Sequence, residues 1–136
     1  MSELESIREF FKGDRYATEA TQLVIEEASK GHSVVSLVPD SRHLNAVGSL
    51  MGAVYYTMAD FAFAVAENCD LDSPVVTVTQ DASINFLKAW RGGAVRAEAE
   101  MIKDGRSTCF YEVKCSDMKG NLLALVTLNG FKVNKK

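Results

Sequence analysis

The chain has 136 residues, 47% of them hydrophobic and 24% charged, with a formal net charge of -3 at neutral pH. That length fits one domain, 1–136, with enough apolar material for a substantial core. The mild acidity excludes a general binder of nucleic acid or anionic membrane. Three cysteines, Cys69, Cys109 and Cys115, show no C-x-x-C spacing and read as small buried residues of a reduced, cytoplasmic protein. With only His32 and His43 available, a zinc site would need unusual ligands, so no metal is expected. Both histidines read as surface or loop residues. The N-terminus, MSELESIREFF, lacks the basic, apolar, small-residue order of a signal peptide.

Residues 1–20 read as a helical extension: Leu4, Ile7, Phe10 and Phe11 fall at helical spacing between Glu3 and Lys12, and Gly13 ends the helix. Ala20 to Ala28 predicts a first strand. His32 to Val38 predicts a second, stopped by Pro39. A polar loop from Asp40 to Gly48 then leads into SLMGAVYYTMADFAFAVAEN, Ser49 to Asn68. From Leu50 to Ala66 this run is apolar or small on nearly every face, the pattern of a buried helix. Its one charge is Asp60. A membrane span of about 20 residues is disfavoured by that acid and by Gly52, Tyr55, Tyr56 and Thr57. A carboxylate inside such a helix needs a partner, either a neighbour one turn back, Tyr56 or Thr57, or a functional role.

The second half reads as successive strands. Val75 to Leu87 alternates, with Val76, Val78, Ala82, Ile84 and Phe86 on one face and Thr77, Thr79, Asp81, Ser83 and Asn85 on the other. Gly92-Gly93, Asp104-Gly105 and Lys119-Gly120-Asn121 mark turns, which predicts that the last three strands form an antiparallel meander. The expected class is α+β: five or six curved antiparallel strands wrapped around one long helix, the hotdog arrangement.

The run NAVGSLMGAVYYTMAD, Asn45 to Asp60, resembles the signature of hotdog acyl-CoA thioesterases of the PaaI-like, phenylacetate-pathway group within the 4-hydroxybenzoyl-CoA thioesterase superfamily. VTVTQDASINFLKAWRGG and IKDGRSTCFYEVKCSDMKGNLLALVTLNGFK resemble the family's third strand and closing hairpins. The chain departs from the pattern at His-Gly-Gly, which is Met51-Gly52-Ala53 here. The histidine of relatives helps hold the thioester carbonyl or leaving group, and methionine donates no such hydrogen bond.

The resemblance implies hydrolysis of a small or medium acyl-CoA, aromatic acyl groups included, to free acid and CoA. No cofactor is needed beyond the CoA of the substrate. It implies Asp60 as general base or nucleophile, the Gly52 amide as oxyanion donor in the unpaired first turn of the helix, Asn45 as an orienting amide and Thr79 as a placer of water. Ser49 would then have to face away from the Gly52 N–H. Met51 and Tyr56 are expected against the substrate, and Tyr55 and Phe61 are further candidates for the acyl pocket. Lys88, Arg91, Lys103 and Arg106 are expected as a cationic rim for the CoA phosphates. Gly52 and Asp60 lie eight residues apart, ~12 Å along a helix axis, so one thioester cannot meet both within a single chain. An obligate homodimer follows, which pairs into a homotetramer in many hotdog proteins; neither nucleic acid nor membrane is expected as a partner. The alternative is an acyl-CoA-binding module that kept the fold and lost turnover with the histidine.

Overall fold

The computed structural model describes residues 1–136. Helix α1 spans Glu3–Phe11 and is capped by Ser2, whose hydroxyl accepts from the Glu5 amide. Its apolar stripe buries Ile7 and Phe11. After it come β1 (Val24–Ser29), β2 (His32–Leu37), α2 (Gly52–Asn68), β3 (Val75–Phe86), β4 (Val95–Asp104), β5 (Thr108–Asp117) and β6 (Leu122–Asn134). The six strands form one antiparallel sheet in the order β1-β2-β4-β5-β6-β3. The long helix α2 packs across one face, which is the hotdog arrangement expected from the sequence. No helix is long and apolar enough to cross a membrane.

The core is the seam between α2 and the sheet. Met58, Ala62, Phe63 and Val65 of the helix are fully enclosed, as are Ala97, Tyr111, Val113 and Val126 of the strands. Burying each of the larger apolar side chains is worth about 1.5–3 kcal/mol. Phe63 and Tyr111 meet edge to face, with ring centroids 4.9 Å apart. Gly130 of β6 permits this packing, since a Cβ there would lie 2.5 Å from the Phe63 ring and 2.7 Å from a Thr77 methyl.

Three expectations need correction. The first strand begins at Val24, because Tyr16–Ala20 form a π-helical turn. That turn is closed by the Leu23 amide donating to Ala17, with Gln22 between them at φ 69°. His43 is buried rather than exposed: it sits in a single 3-10 turn, Ser41–His43, with 4% of its surface accessible. The simple alternation of β3 also fails. A bulge at Gln80, between Thr79 and Asp81, inserts one residue and inverts the phase of everything after it. Thr77 and Thr79 before the bulge therefore share the helix-facing side with Ala82, Ile84 and Phe86 after it, while Val78 is left 47% exposed on the outer side.

The two sheet edges differ. α1 packs beside β1, and the Arg8 Nε donates to the Ile25 carbonyl at 2.8 Å. At the opposite edge lies β3, twelve residues long. There the Asn68 side chain pairs with both backbone groups of Thr77, donating to its carbonyl at 2.9 Å and accepting from its amide at 2.8 Å. From Val78 to Phe86 the strand is the rim of the sheet.

Candidate active site

Asp60 lies in the middle of α2 and is half-buried rather than engulfed. The helix is not covered all round: Ala53, Tyr56, Thr57, Asp60 and Ala64 make an open stripe at helical spacing. Asp60 finds its partner across the seam. The Thr79 hydroxyl donates to Asp60 Oδ1 at 2.6 Å, a contact available only because the Gln80 bulge leaves Thr79 facing the helix. Thr57, one turn back, instead donates to the Ala53 carbonyl. A charge-assisted bond of this length fixes the carboxylate and leaves Oδ2 free to accept from a further donor.

The field around Asp60 is negative. Partial burial, and after it the Asp60 charge, pushes the Asp14 carboxyl above its usual range. Tyr56, 41% exposed, is raised by partial burial and then by Asp60 and Asp81. Its hydroxyl therefore keeps its proton at neutral pH and is a donor.

Gly52 opens the helix. Its N-cap residue is Met51, which offers no capping side chain, so Ser49 does not cap the first turn. Met51 is 52% exposed, and its own amide donates to the His43 carbonyl at 3.0 Å. The loop before it is self-organised. Asn45 Oδ1 accepts from the amides of Val47 (3.1 Å) and Ser49 (3.0 Å), which occupies its oxygen and leaves only the Nδ2 hydrogens to face outward. His43 anchors the base of this loop: Nδ1 accepts from the Asp40 amide at 2.9 Å, and Nε2 donates to the Thr21 carbonyl at 2.7 Å.

The reason for glycine at 52 is specific. A Cβ there would lie 2.8 Å from the tip of the Phe86 ring, so the glycine seats that ring as well as freeing the approach to the amide. The ring tip is the free end of an exposed side chain, so moving it off its rotamer costs about 0.5–1.5 kcal/mol. Gly52→Ala should lower the melting temperature, and adding Phe86→Ala should restore it. A thermal melt of the two variants checks this; equal melting points for both would show that the ring yields without cost.

A cavity of about 480 Å³ adjoins Gly52, lined by Ser49, Leu50, Tyr55, Phe86, Leu87, Lys88 and Trp90 among others. Tyr55 meets Phe86 with centroids 6.0 Å apart, and burial pushes its hydroxyl up to about 12, so this wall is uncharged. A second cavity of about 380 Å³ shares Lys88 and Ala89 with the first and bears Arg91 and Lys119. Within one chain, Lys103 and Arg106 lie away from this rim. Lys88 and Arg91 follow the end of β3 that pairs with Ala124, whereas Lys103 and Arg106 flank the turn before Thr108, which pairs with Phe131 at the other end of β6. Phe61 lies in the core, its ring edge on Phe11 at 5.9 Å, and lines no acyl cavity. A larger cavity, about 540 Å³ between α1 and β1, shares no residue with these two.

The grouping with metal-ligand chemistry is His32, Glu98 and Glu100, whose ligand atoms lie within 4.8 Å of one another. It is on adjacent strands β2 and β4, on the sheet face opposite the helix. His32 Nε2 already bonds Glu98 at 2.7 Å, and Arg96 stands 3.5 Å from the other Glu98 oxygen.

Sequence reasoning missed three residues. Phe86 reads as one more apolar strand position, and His43 carries no local signal of burial. Glu67, with a side chain wholly buried, lies just past the run that ends at Ala66. It accepts from the Tyr111 hydroxyl at 2.5 Å and the Thr77 hydroxyl at 3.0 Å, and Lys30 stands 3.2 Å away.

Comparison with known proteins identifies the family and the fold. Residues 47–124 match the family model described as Thioesterase superfamily. The 1,4-dihydroxy-2-naphthoyl-CoA hydrolase of Listeria monocytogenes is 27% identical over 107 residues, covering 79% of this chain and 87% of the relative. A single-substitution mutant of the phenylacetic acid degradation protein PaaI from Thermus thermophilus superposes with a TM-score of 0.77 at 28% identity, over 85% of this chain and 97% of that one. PaaI of E. coli superposes with a TM-score of 0.82 over 98% of both chains at 22% identity, a likeness of fold.

Proposed function

We propose that this chain, which belongs to the thioesterase superfamily, hydrolyses the thioester of a small or medium acyl-CoA, aromatic acyl groups included, to the free acid and CoA. The observation that carries this reading is the Thr79–Asp60 pair: a fixed carboxylate, half-open to solvent, on the uncovered stripe of the central helix. The aromatic lining beside Gly52 supports an uncharged acyl group, and the CoA-thioester relative supports the leaving group.

The chemistry is divided between two copies. Asp60 and the Gly52 amide are ~12 Å apart along α2, so each site takes its carboxylate from one protomer and its oxyanion donor from the other. The β3 edge supports such a dimer, because a long edge strand is a template for a second strand, and Asn68 closes the edge only at Thr77. Ala53 and Ala64 on the open stripe let a second helix come close. In each site the Gly52 N–H, at the positive end of the helix, stabilises the charge that develops on the thioester oxygen. Asp60 either takes a proton from the attacking water or attacks the carbonyl carbon itself, and Thr79 holds its orientation. Tyr56 and Met51 lie at the mouth. Asn45 offers its Nδ2 hydrogens, and Lys88 and Arg91 offer charge to the CoA phosphates.

The test is CoA release from a panel of straight-chain and aromatic acyl-CoAs, with Asp60→Ala as the control. Release well above the control for at least one acyl group is expected. Equal release by both proteins across the whole panel eliminates hydrolysis.

A further inference from the structure

We propose that Phe86 selects the acyl group: its ring forms the wall that sets the length and shape of the acyl site beside the Gly52 amide. The inference rests on the hydrolase reading for the identity of the ligand, but its geometry is independent of turnover. Phe86 is the last residue of β3, and it reaches the helix only because the Gln80 bulge shifts the phase of the strand. The ring is seated on Gly52, in the space a Cβ would fill, and tilts against Tyr55 at 55°. It nevertheless remains 59% exposed. A large aromatic side chain that packs one side on a helix N-terminus and shows the rest to a cavity is a wall, not a core residue.

That wall stands beside the donor assigned to the thioester oxygen. An acyl group whose oxygen bonds the Gly52 N–H starts within van der Waals reach of the Phe86 ring. A flat ring or a short branched chain stacks on it, whereas a long straight chain must pass it. Leu50, Tyr55, Leu87 and Trp90 give the rest of the lining a mainly apolar or aromatic character, with Ser49 and Lys88 as its polar side chains. Lys88, the cation at the rim, is exposed to solvent. Acyl groups ending in a carboxylate therefore find no buried partner there.

The experiment uses the full chain, Phe86→Leu and Phe86→Ala, with two readouts. One is kcat/KM for acyl-CoAs from acetyl to dodecanoyl, with benzoyl- and phenylacetyl-CoA. The other is binding of the corresponding non-hydrolysable thioether analogues. For Phe86→Ala the ratio of long-chain to aromatic substrates is expected to rise by about tenfold or more, with Phe86→Leu between the two. A ratio unchanged in both variants while the parent hydrolyses its substrates overturns the role of Phe86 and leaves the hydrolase reading intact. A ratio that shifts in analogue binding without CoA release by any protein upholds the wall and removes the hydrolase. A ring that merely supports the fold would lower binding of all acyl groups alike, which also overturns the proposal.

Discussion

Asp60→Asn is expected to lower kcat by about 10²–10⁴-fold, the range over which a positioned acid or base contributes, while the circular dichroism spectrum and oligomeric state stay those of the parent. The substitution keeps the shape of the side chain and an acceptor for the Thr79 hydroxyl, which donates to the amide oxygen in a weaker, neutral bond. What disappears is the negative charge that takes the proton or attacks. Thr79→Val separates positioning from chemistry. It removes a hydrogen bond to a charged group, worth about 1.5–3 kcal/mol, and corresponds to a loss of about 10- to 150-fold. Of the two, Thr79→Val should keep measurable turnover that Asp60→Asn lacks, because only the second deletes the reacting carboxylate. An Asp60→Asn enzyme with near-parental turnover would place the reacting group elsewhere.

Glu67→Ala is expected to cost about 2–5 kcal/mol of stability, because it leaves two buried hydroxyls without their acceptor at about 1–3 kcal/mol each, while the half-exposed Lys30 is resolvated. The variant strands the Tyr111 hydroxyl in a site with no accessible surface and the Thr77 hydroxyl in one nearly as closed. It also loosens the end of α2, which Glu67 and Asn68 together tie to Thr77, two residues before Thr79. Burial alone would raise the Glu67 carboxyl, but the Tyr111 hydroxyl, the Lys30 charge and the Thr77 hydroxyl outweigh it and hold it below its ordinary range. The folded protein thus binds that proton more weakly than the unfolded chain. The contribution is complete above the ordinary carboxylate range and drains away as pH falls through the folded value. Urea titrations at pH 7 and near pH 4 should show a gap between parent and variant that narrows on acidification. A gap of constant size would mean that the network does not depend on the charge.

The parts of this molecule that were legible beforehand are those whose signals are local. The apolar run Leu50 to Ala66 marks the helix within two residues at either end, and the Asp104-Gly105 and Lys119-Gly120-Asn121 turns mark the meander. The misfit of Asp60 in that run pointed to the candidate site, and the resemblance offered Thr79 as a placer of water; that Thr79 bonds Asp60 itself came only from the structure. What failed depends on contacts far apart in the chain. A bulge at Gln80 has no glycine to announce it, yet it decides that Thr79 faces Asp60 and Phe86 faces Gly52. The burial of His43 comes from Thr21 and Asp40, which fold around it. The Glu67 network is assembled from α2, β3, β5 and the turn after β1. Asn45 carried its turn-forming habit in plain view, and the structure assigns its oxygen to that task.

The most direct test of a site shared between protomers is complementation. Asp60→Asn chains and Gly52→Pro/Phe86→Ala chains, the second lacking the amide at a helix position that tolerates proline, are unfolded together in equal amounts and refolded. Each parent alone should be nearly inactive. In the mixture half of the dimers are hybrids, and each hybrid holds one site with an intact Asp60 and an intact Gly52. Activity should therefore return to about a quarter of the unmutated protein's. A mixture no more active than its parents, with hybrids shown to have formed, would contradict the shared site.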